Sequence, residues 1–208
     1  MMLPNYYWAY VSKLPKKFCD DVIQLAINNE KFRRTGLIGH YSSKDKLTEA
    51  ELADVKSLRD SDVMWLREPW IYHQIVPFIK DANYYAGWNF EFSRSEDCQF
   101  TIYEPGQFYD WHCDSKPEPY KEGSNKGLIR KLSVTVTLSD PSEYEGGELE
   151  FDLRDKDPRE PRHIHTCTQI LPKGSLVVFP SFVWHRVRPV TRGRRLSLVI
   201  WNLGHPYK

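Results

Sequence analysis

The stretch FYDWHCD, residues 108–114, sets His112 and Asp114 two positions apart. On a strand, positions i and i+2 share a face, so the imidazole and the carboxylate point together while Cys113 points away. One imidazole and one carboxylate on a common face can take two adjacent positions around a metal ion. The pair by itself is weak evidence, because an ordinary polar strand end has the same composition. A third donor stands 73 residues further on. His185 follows the apolar run GSLVVFPS (174–181) and precedes RVRPV, a turn, and a second apolar strand. Two such strands close together in a β barrel would bring His185 beside the first pair.

Two histidines and one carboxylate on one face, with the other positions open, form the facial triad of non-haem Fe(II) oxygenases. Iron needs those open positions for a co-substrate and O2. The strand RRLSLVIW (194–201) is compatible with this chemistry. Arg195, Ser197, Val199 and Trp201 share one face, while Leu196, Leu198 and Ile200 share the other, which reads as core. An inward arginine in so apolar a strand needs an anion, since a lone buried charge is very costly. Its planar fork fits a carboxylate through two hydrogen bonds. A protein carboxylate would satisfy it. So would a dicarboxylic keto acid, one end on the metal and the other on Arg195. His163 and His165 share a face in a charged loop and could form a second metal pair, but the first set is already complete. His40, His73 and His205 have no partner pattern.

The elements that must position these residues change character along the chain. KKFCDDVIQLAINNEKF (16–32) places Phe18, Val22, Leu25 and Ala26 at helical spacing. LTEAELADVKSLRDSDVMWL (47–66) reads as a helix with Thr48 and Glu51 as a capping box. EPWIYHQIVPFIKDANYYAG (68–87) starts with Pro69, suited to a first turn, and ends with Gly87; Pro77 should kink or split it. After Gly87 the pattern becomes strand-like: WNFEFS, CQFTIYE, KLSVTVTLS, GELEFDL, GSLVVFPS and RRLSLVIWNL are short and rich in β-branched and aromatic residues. Such spacing predicts a sandwich or barrel. The expectation is one α+β domain over 1–208, with residues 1–87 as mainly helical support and 88–208 as the β core. Residues 115–128 and 154–165 read as long polar loops.

Bulk composition narrows the partners. With 29 Lys and Arg against 28 Asp and Glu, the net charge is +1, which argues against affinity built on many phosphate contacts, so no nucleic acid is expected. No 18-residue apolar run exists, so no membrane span is expected. The opening MMLPNYYWAY lacks the features of a secretory leader, and the four cysteines are scattered without a CxxC pair. Reduced thiols in a cytoplasmic setting are expected.

From Tyr103 to Trp201 the chain resembles the 2-oxoglutarate/Fe(II)-dependent dioxygenases, in particular the prolyl 4-hydroxylase-like branch and its PKHD-type hydroxylase relatives. YEPGQFYDWHCD is similar to that family's Tyr-x-x-Gly-x-x-Tyr-x-x-His-x-Asp. LSVTVTLSDPSEYEGGELEF is similar to its strand, loop and Gly-Gly-Glu-Leu turn, and KGSLVVFPSFVWHRVRPVTRGRRLSLVIW to its distal histidine with an arginine ten residues later. The resemblance implies a double-stranded β-helix (jelly-roll) core. It also implies Fe(II) on His112, Asp114 and His185, with 2-oxoglutarate and O2 as co-substrates and ascorbate as a further candidate. Arg195 would hold the distal carboxylate of 2-oxoglutarate, Tyr103 and Thr137 would bind it or shape the pocket, and Trp201 would wall the site. A peptide or protein substrate, hydroxylated at a peptidyl proline, is implied; a free amino acid, a small metabolite, or a non-redox metal-binding β-barrel module are the alternatives. Gly146 and Gly147 read as a tight turn.

Overall fold

The computed structural model describes residues 3–28, 34–36, 48–153 and 163–207. Three helices, α1 (Lys16–Asn28), α2 (Glu49–Leu58) and α3 (Pro69–Tyr85), lie in the first half of the chain. The strands are β1 (Trp8–Tyr10), β2 (Arg34–Thr35), β3 (Arg59–Asp60), β4 (Asp62–Leu66), β5 (Arg94–Ser95), β6 (Cys98–Tyr103), β7 (Phe108–His112) and β8 (Ile129–Thr137). They continue with β9 (Tyr144–Gly146), β10 (Leu149–Asp152), β11 (Ile164–Thr166), β12 (Leu176–Pro180), β13 (His185–Val187), β14 (Val190–Gly193) and β15 (Arg195–Gly204).

The strands form two main antiparallel sheets. The larger runs β1-β12-β8-β15-β6-β4-β2, with β5 also paired to β15; the smaller runs β11-β10-β13-β7-β3. This is the jelly-roll core of an α+β protein, with α1 and α3 backing the larger sheet and α2 beside β3 and β7 of the smaller. Each central strand alternates its faces. Leu132, Val134 and Val136 of β8 and Leu198 and Ile200 of β15 face Val22 and Ala26 of α1 and Ile71, Ile75 and Ile79 of α3 in one apolar cluster. A second cluster, with Phe151, Val177, Phe179 and Val187, fills the space between the sheets. No helix among the described residues is long and apolar enough to cross a membrane.

Several local expectations are met by the side chains that carry them. Thr48 accepts from the Glu51 backbone N–H while the Glu51 carboxylate accepts from Thr48, the reciprocal cap. Pro69 opens α3, and Gly87 follows its cap with φ +75°, a conformation that costs glycine little. The helix runs unbroken through Pro77 instead of splitting there. Residues 29–32 of the first expected helix lie outside the described residues.

Three expectations are corrected. The helix expected over 47–66 stops at Leu58, and its apolar end becomes β4, whose Val63, Met64 and Leu66 are buried by pairing with β6. Tertiary pairing overrides the local helical reading of VMWL. WNFEFS is not a strand. Asn89 has φ +51°, and the Asn83 side chain exchanges two 2.9 Å hydrogen bonds with Phe90, occupying backbone groups a ladder would use. Finally, the loop expected over 154–165 ends in strand β11, which pairs with β10; residues 154–162 lie outside the described residues. Residues 115–128 form a polar connection with a short 3-10 helix at Gly123–Asn125.

Candidate active site

Both histidines come from the smaller sheet. His112 closes β7 and His185 opens β13, and the two are direct partners across the ladder. Their rings lie 4.1 Å apart, centroid to centroid. Asp114 sits just past the end of β7, where its backbone N–H donates to the Ser181 carbonyl at 2.8 Å. That bond turns the chain so that its carboxylate reaches both rings. His112 Nε2 is 3.8 Å from Asp114 Oδ1, and His185 Nε2 is 3.7 Å from Oδ2. One ligand atom from each of the three residues lies within 4.8 Å of the others, the sole such group of metal-binding side chains among the described residues.

The surroundings fix each ring. His112 Nδ1 lies 2.7 Å from the Asp110 carbonyl and His185 Nδ1 lies 3.0 Å from the Val183 carbonyl. A carbonyl only accepts, so each Nδ1 donates to it and each Nε2 is turned toward Asp114, the orientation a metal-ligating imidazole needs. Burial, reinforced by His185, pushes the His112 pKa down to about 3, against the raising effect of Asp114, so the ring is neutral. Burial would raise the Asp114 pKa. His185 and His112 in their protonated forms, Arg130 and the Ser133 hydroxyl outweigh it and hold the carboxyl below its usual range.

Packing completes the support. Tyr109 stacks on His112 with centroids 3.5 Å apart, and Phe179 meets His185 edge to face at 4.7 Å. Ser133 of β8 donates to Asp114 Oδ2 at 2.7 Å and is itself 2.9 Å from the Ser181 hydroxyl. These supporting residues escaped the sequence reading. The signal for Ser133 was present in KLSVTVTLS, where Ser133, Thr135 and Thr137 alternate with apolar residues on a strand too buried for a solvated face.

The larger sheet supplies the opposite wall of the cavity. Tyr103, Arg195 and Trp201 line it, as do Gln99, Thr135 and Ser197. Thr137 shares the face of Thr135 but is not among the lining residues. Arg195 is 2 % exposed, pairs across the ladder with Tyr103, and has its guanidinium 5.5 Å from that ring's centre. Its one hydrogen bond, at 3.3 Å, is to Ser197, and among the described residues no carboxylate pairs with it. Two further polar atoms on this face, Thr137 Oγ1 and Trp201 Nε1, are buried without partners. A buried guanidinium lacking an anion, with two orphaned polar groups on the same face of the sheet, is unfavourable unless a ligand satisfies them. These groups fit an anionic, carboxylate-bearing molecule, as the His–Asp–His set fits a divalent metal. Gly147, with φ +66°, gives Arg195 its room: a Cβ there would lie 2.7 Å from Arg195 Cδ. His163 and His165 belong to no group of three or more metal-binding side chains among the described residues, and His165 Nε2 lies 2.7 Å from the Tyr7 hydroxyl.

Two imidazoles and a carboxylate at one end of a jelly-roll cavity, with an arginine across from them, define the class of non-haem iron oxygenases. The family model of the 2OG-Fe(II) oxygenase superfamily matches residues 98–202, just over half of the 208 residues, and the chain belongs to that superfamily. A PKHD-type hydroxylase of Bordetella pertussis is 36% identical over 102 residues, covering 49% of this chain and 41% of that protein. One of Teredinibacter turnerae is 38% identical over 104 residues, covering 50% and 41%. The chain thus spans less than half the length of the curated relatives it matches. Among solved structures, a Pseudomonas putida prolyl-4-hydroxylase superposes with TM-score 0.65 at 20% identity, over 95% of this chain and 92% of that one. A viral collagen prolyl hydroxylase from Paramecium bursaria Chlorella virus 1, solved as a 2OG complex, gives 0.62 at 21%, over 96% and 97%. A prolyl hydroxylase from Trichoplax adhaerens, solved with a peptide fragment of a hypoxia inducible factor, gives 0.61 at 16%, over 95% and 83%. At these identities the structural likeness is one of fold.

Proposed function

We propose that this chain is an Fe(II)- and 2-oxoglutarate-dependent hydroxylase acting on a peptide or protein at a prolyl side chain. The observation that carries the reading is the placement, in one buried cavity, of a His–Asp–His donor set opposite an arginine without a carboxylate partner among the described residues. His112, Asp114 and His185 are assigned as the metal ligands and Arg195 as the grip on the distal carboxylate of 2-oxoglutarate. Thr137 and Tyr103 assist at that carboxylate, and Trp201 walls the pocket. When bound, iron and the keto acid supply O2 activation and C–H hydroxylation, with 2-oxoglutarate leaving as succinate and CO2.

The protein's part is positional. The Asp110 and Val183 carbonyls hold the rings with Nε2 inward. Ser133 orients the Asp114 carboxylate. Tyr109 and Phe179 seal the rings from water. The prolyl assignment is supported by the names of the structural neighbours, one of them solved with a peptide, and so by analogy of fold. We further place the first 87 residues as support for a single domain and the protein in the cytoplasm, in keeping with four cysteines that form no disulfide.

The test incubates the protein with Fe(II), 2-oxoglutarate, ascorbate and O2, and follows succinate and the mass of a proline-containing peptide library. Succinate formation with a gain of one oxygen on peptide, both abolished in Asp114→Ala, is the expected result. Succinate release that survives Asp114→Ala would end the metal assignment. Oxygen gain on free amino acids but on no peptide would end the substrate assignment.

A further inference from the structure

An open groove of about 420 Å³ lies beside the cavity, walled by Trp65, Arg67, Arg94, Glu96, Tyr120 and Asn125 among others. It continues from the cavity's wall. Trp65 packs against Trp201 with ring centroids 6.2 Å apart and is the register partner of Gln99, and Trp201 and Gln99 both line the cavity. Trp65 is 45% exposed on a strand whose Val63, Met64 and Leu66 are buried, so an indole face is presented to the groove.

Two arginines and two carboxylates line the groove, but one carboxylate is already paired with Arg130 from outside the lining. Glu96 is occupied: Arg130 donates to it at 2.6 and 3.2 Å and the Tyr120 hydroxyl at 2.8 Å. Asp97 is paired with Arg67 at 2.8 Å. Arg94 makes one hydrogen bond, from Nη1 to the Ser124 carbonyl at 2.8 Å, and pairs with no carboxylate among the described residues. The surplus positive charge therefore sits on Arg94. Beside it, Asn125 Oδ1 is buried with no hydrogen-bond partner. That oxygen wants an N–H donor. An extended polypeptide supplies what is missing: a backbone amide for Asn125, apolar side chains for the Trp65 and Tyr120 faces, and a carboxylate for Arg94.

We propose that this groove binds the segment of substrate polypeptide flanking the hydroxylated residue, and that Arg94 selects for an Asp or Glu in that segment. The inference rests on the peptide-hydroxylase reading above. The probes are seven-residue alanine peptides with a central proline, carrying a single Glu or a single Lys at each flanking position. Their dissociation constants are measured first on metal-free protein by Trp fluorescence. Iron, 2-oxoglutarate and O2 are then added and oxygen gain is followed in the same peptides. At one or two neighbouring positions Glu should bind about three- to tenfold more tightly than Lys, the range of a well-placed ion pair. Arg94→Glu should invert that ratio. A Glu/Lys ratio cancels any loss of folded protein, so a destabilised variant still reports. No binding, a ratio near one at every position, or an unchanged preference in Arg94→Glu would overturn the proposal. A charge preference in binding without oxygen gain would uphold the groove and refute the hydroxylase reading. Hydroxylation blind to charge would do the reverse.

Discussion

Strands β8 and β15 have two faces, almost equally buried and chemically opposite. Toward the helices, Leu132, Val134, Val136, Leu198 and Ile200 are all 0% exposed and entirely apolar. Toward the smaller sheet, Ser133, Thr135, Thr137, Arg195, Ser197 and Trp201 are between 0% and 7% exposed, yet two of them carry orphaned polar atoms. The outer face is a complete core, in which each side chain meets partners of its own kind. The inner face has removed polar groups from water and left two of them, Thr137 Oγ1 and Trp201 Nε1, without protein partners. The strand period of two lets one segment do both. Stability should therefore live on one face and ligand binding on the other.

Changes on the outer face should produce the largest loss of stability. Leu198→Ala removes a fully buried side chain and should cost about 2–5 kcal/mol in urea unfolding. The affinity of the remaining folded protein for 2-oxoglutarate should be unchanged. A matching loss of ligand affinity would break the division between the faces.

Acid should act on the site side. In metal-free protein, folding pushes the His112 pKa from 6.5 down to about 3. As pH falls below about 6.5 the unfolded chain takes up the proton first, so stability declines from there toward pH 3. Asp114, depressed from 3.8, adds to the decline at the acid end, because its ionised form favours the fold. Urea midpoints of metal-free protein should drop between pH 7 and pH 4, and His112→Gln should flatten that dependence. An equal slope in the variant would show that His112 is not the group responsible.

Smaller effects sharpen the contrast within the inner face. Ser133→Ala removes the hydroxyl that orients Asp114 and should weaken Fe(II) or Mn(II) binding by about 10–100-fold, read by metal titration. Thr137→Val fills the same volume without an unpaired hydroxyl. Folding stability should stay level or rise slightly, while 2-oxoglutarate binds less tightly by about 1 kcal/mol, roughly fivefold. Unaltered affinity would remove Thr137 from the proposed carboxylate site.

Much of this architecture was legible because strand alternation is a strong signal. RRLSLVIW separates Arg195, Ser197, Val199 and Trp201 from Leu196, Leu198 and Ile200, and the structure turns those sets to the cavity and to the helices. His185 reads in sequence as following the apolar run 174–181, which is β12 of the larger sheet; it instead opens β13, whose ladder with β7 in the smaller sheet makes it the partner of His112. Asp114 lies beyond the strand, however, so its position depends on the Ser181 carbonyl and not on an i, i+2 pleat. Strands β1 and β4 are among those with no clear sequence signal. Trp8–Tyr10 and Asp62–Leu66 are short, and they become strands only by pairing with β12 and β6. The contacts of Glu96 with Arg130, 34 residues away, join segments that no local pattern connects.

One claim is central: the cavity between the two sheets seats a ferrous ion on the smaller sheet's His112, Asp114 and His185 and a diacid that reaches Arg195 on the inner face of the larger. The direct measurement is the visible absorption of anaerobic protein titrated with Fe(II) and then 2-oxoglutarate. A metal-to-ligand charge-transfer band should appear only when both are present. Arg195→Ala should require far more 2-oxoglutarate to develop it, and Asp114→Ala should not form it. No band in the unaltered protein at saturating iron and keto acid, or a band indifferent to both substitutions, would contradict the account.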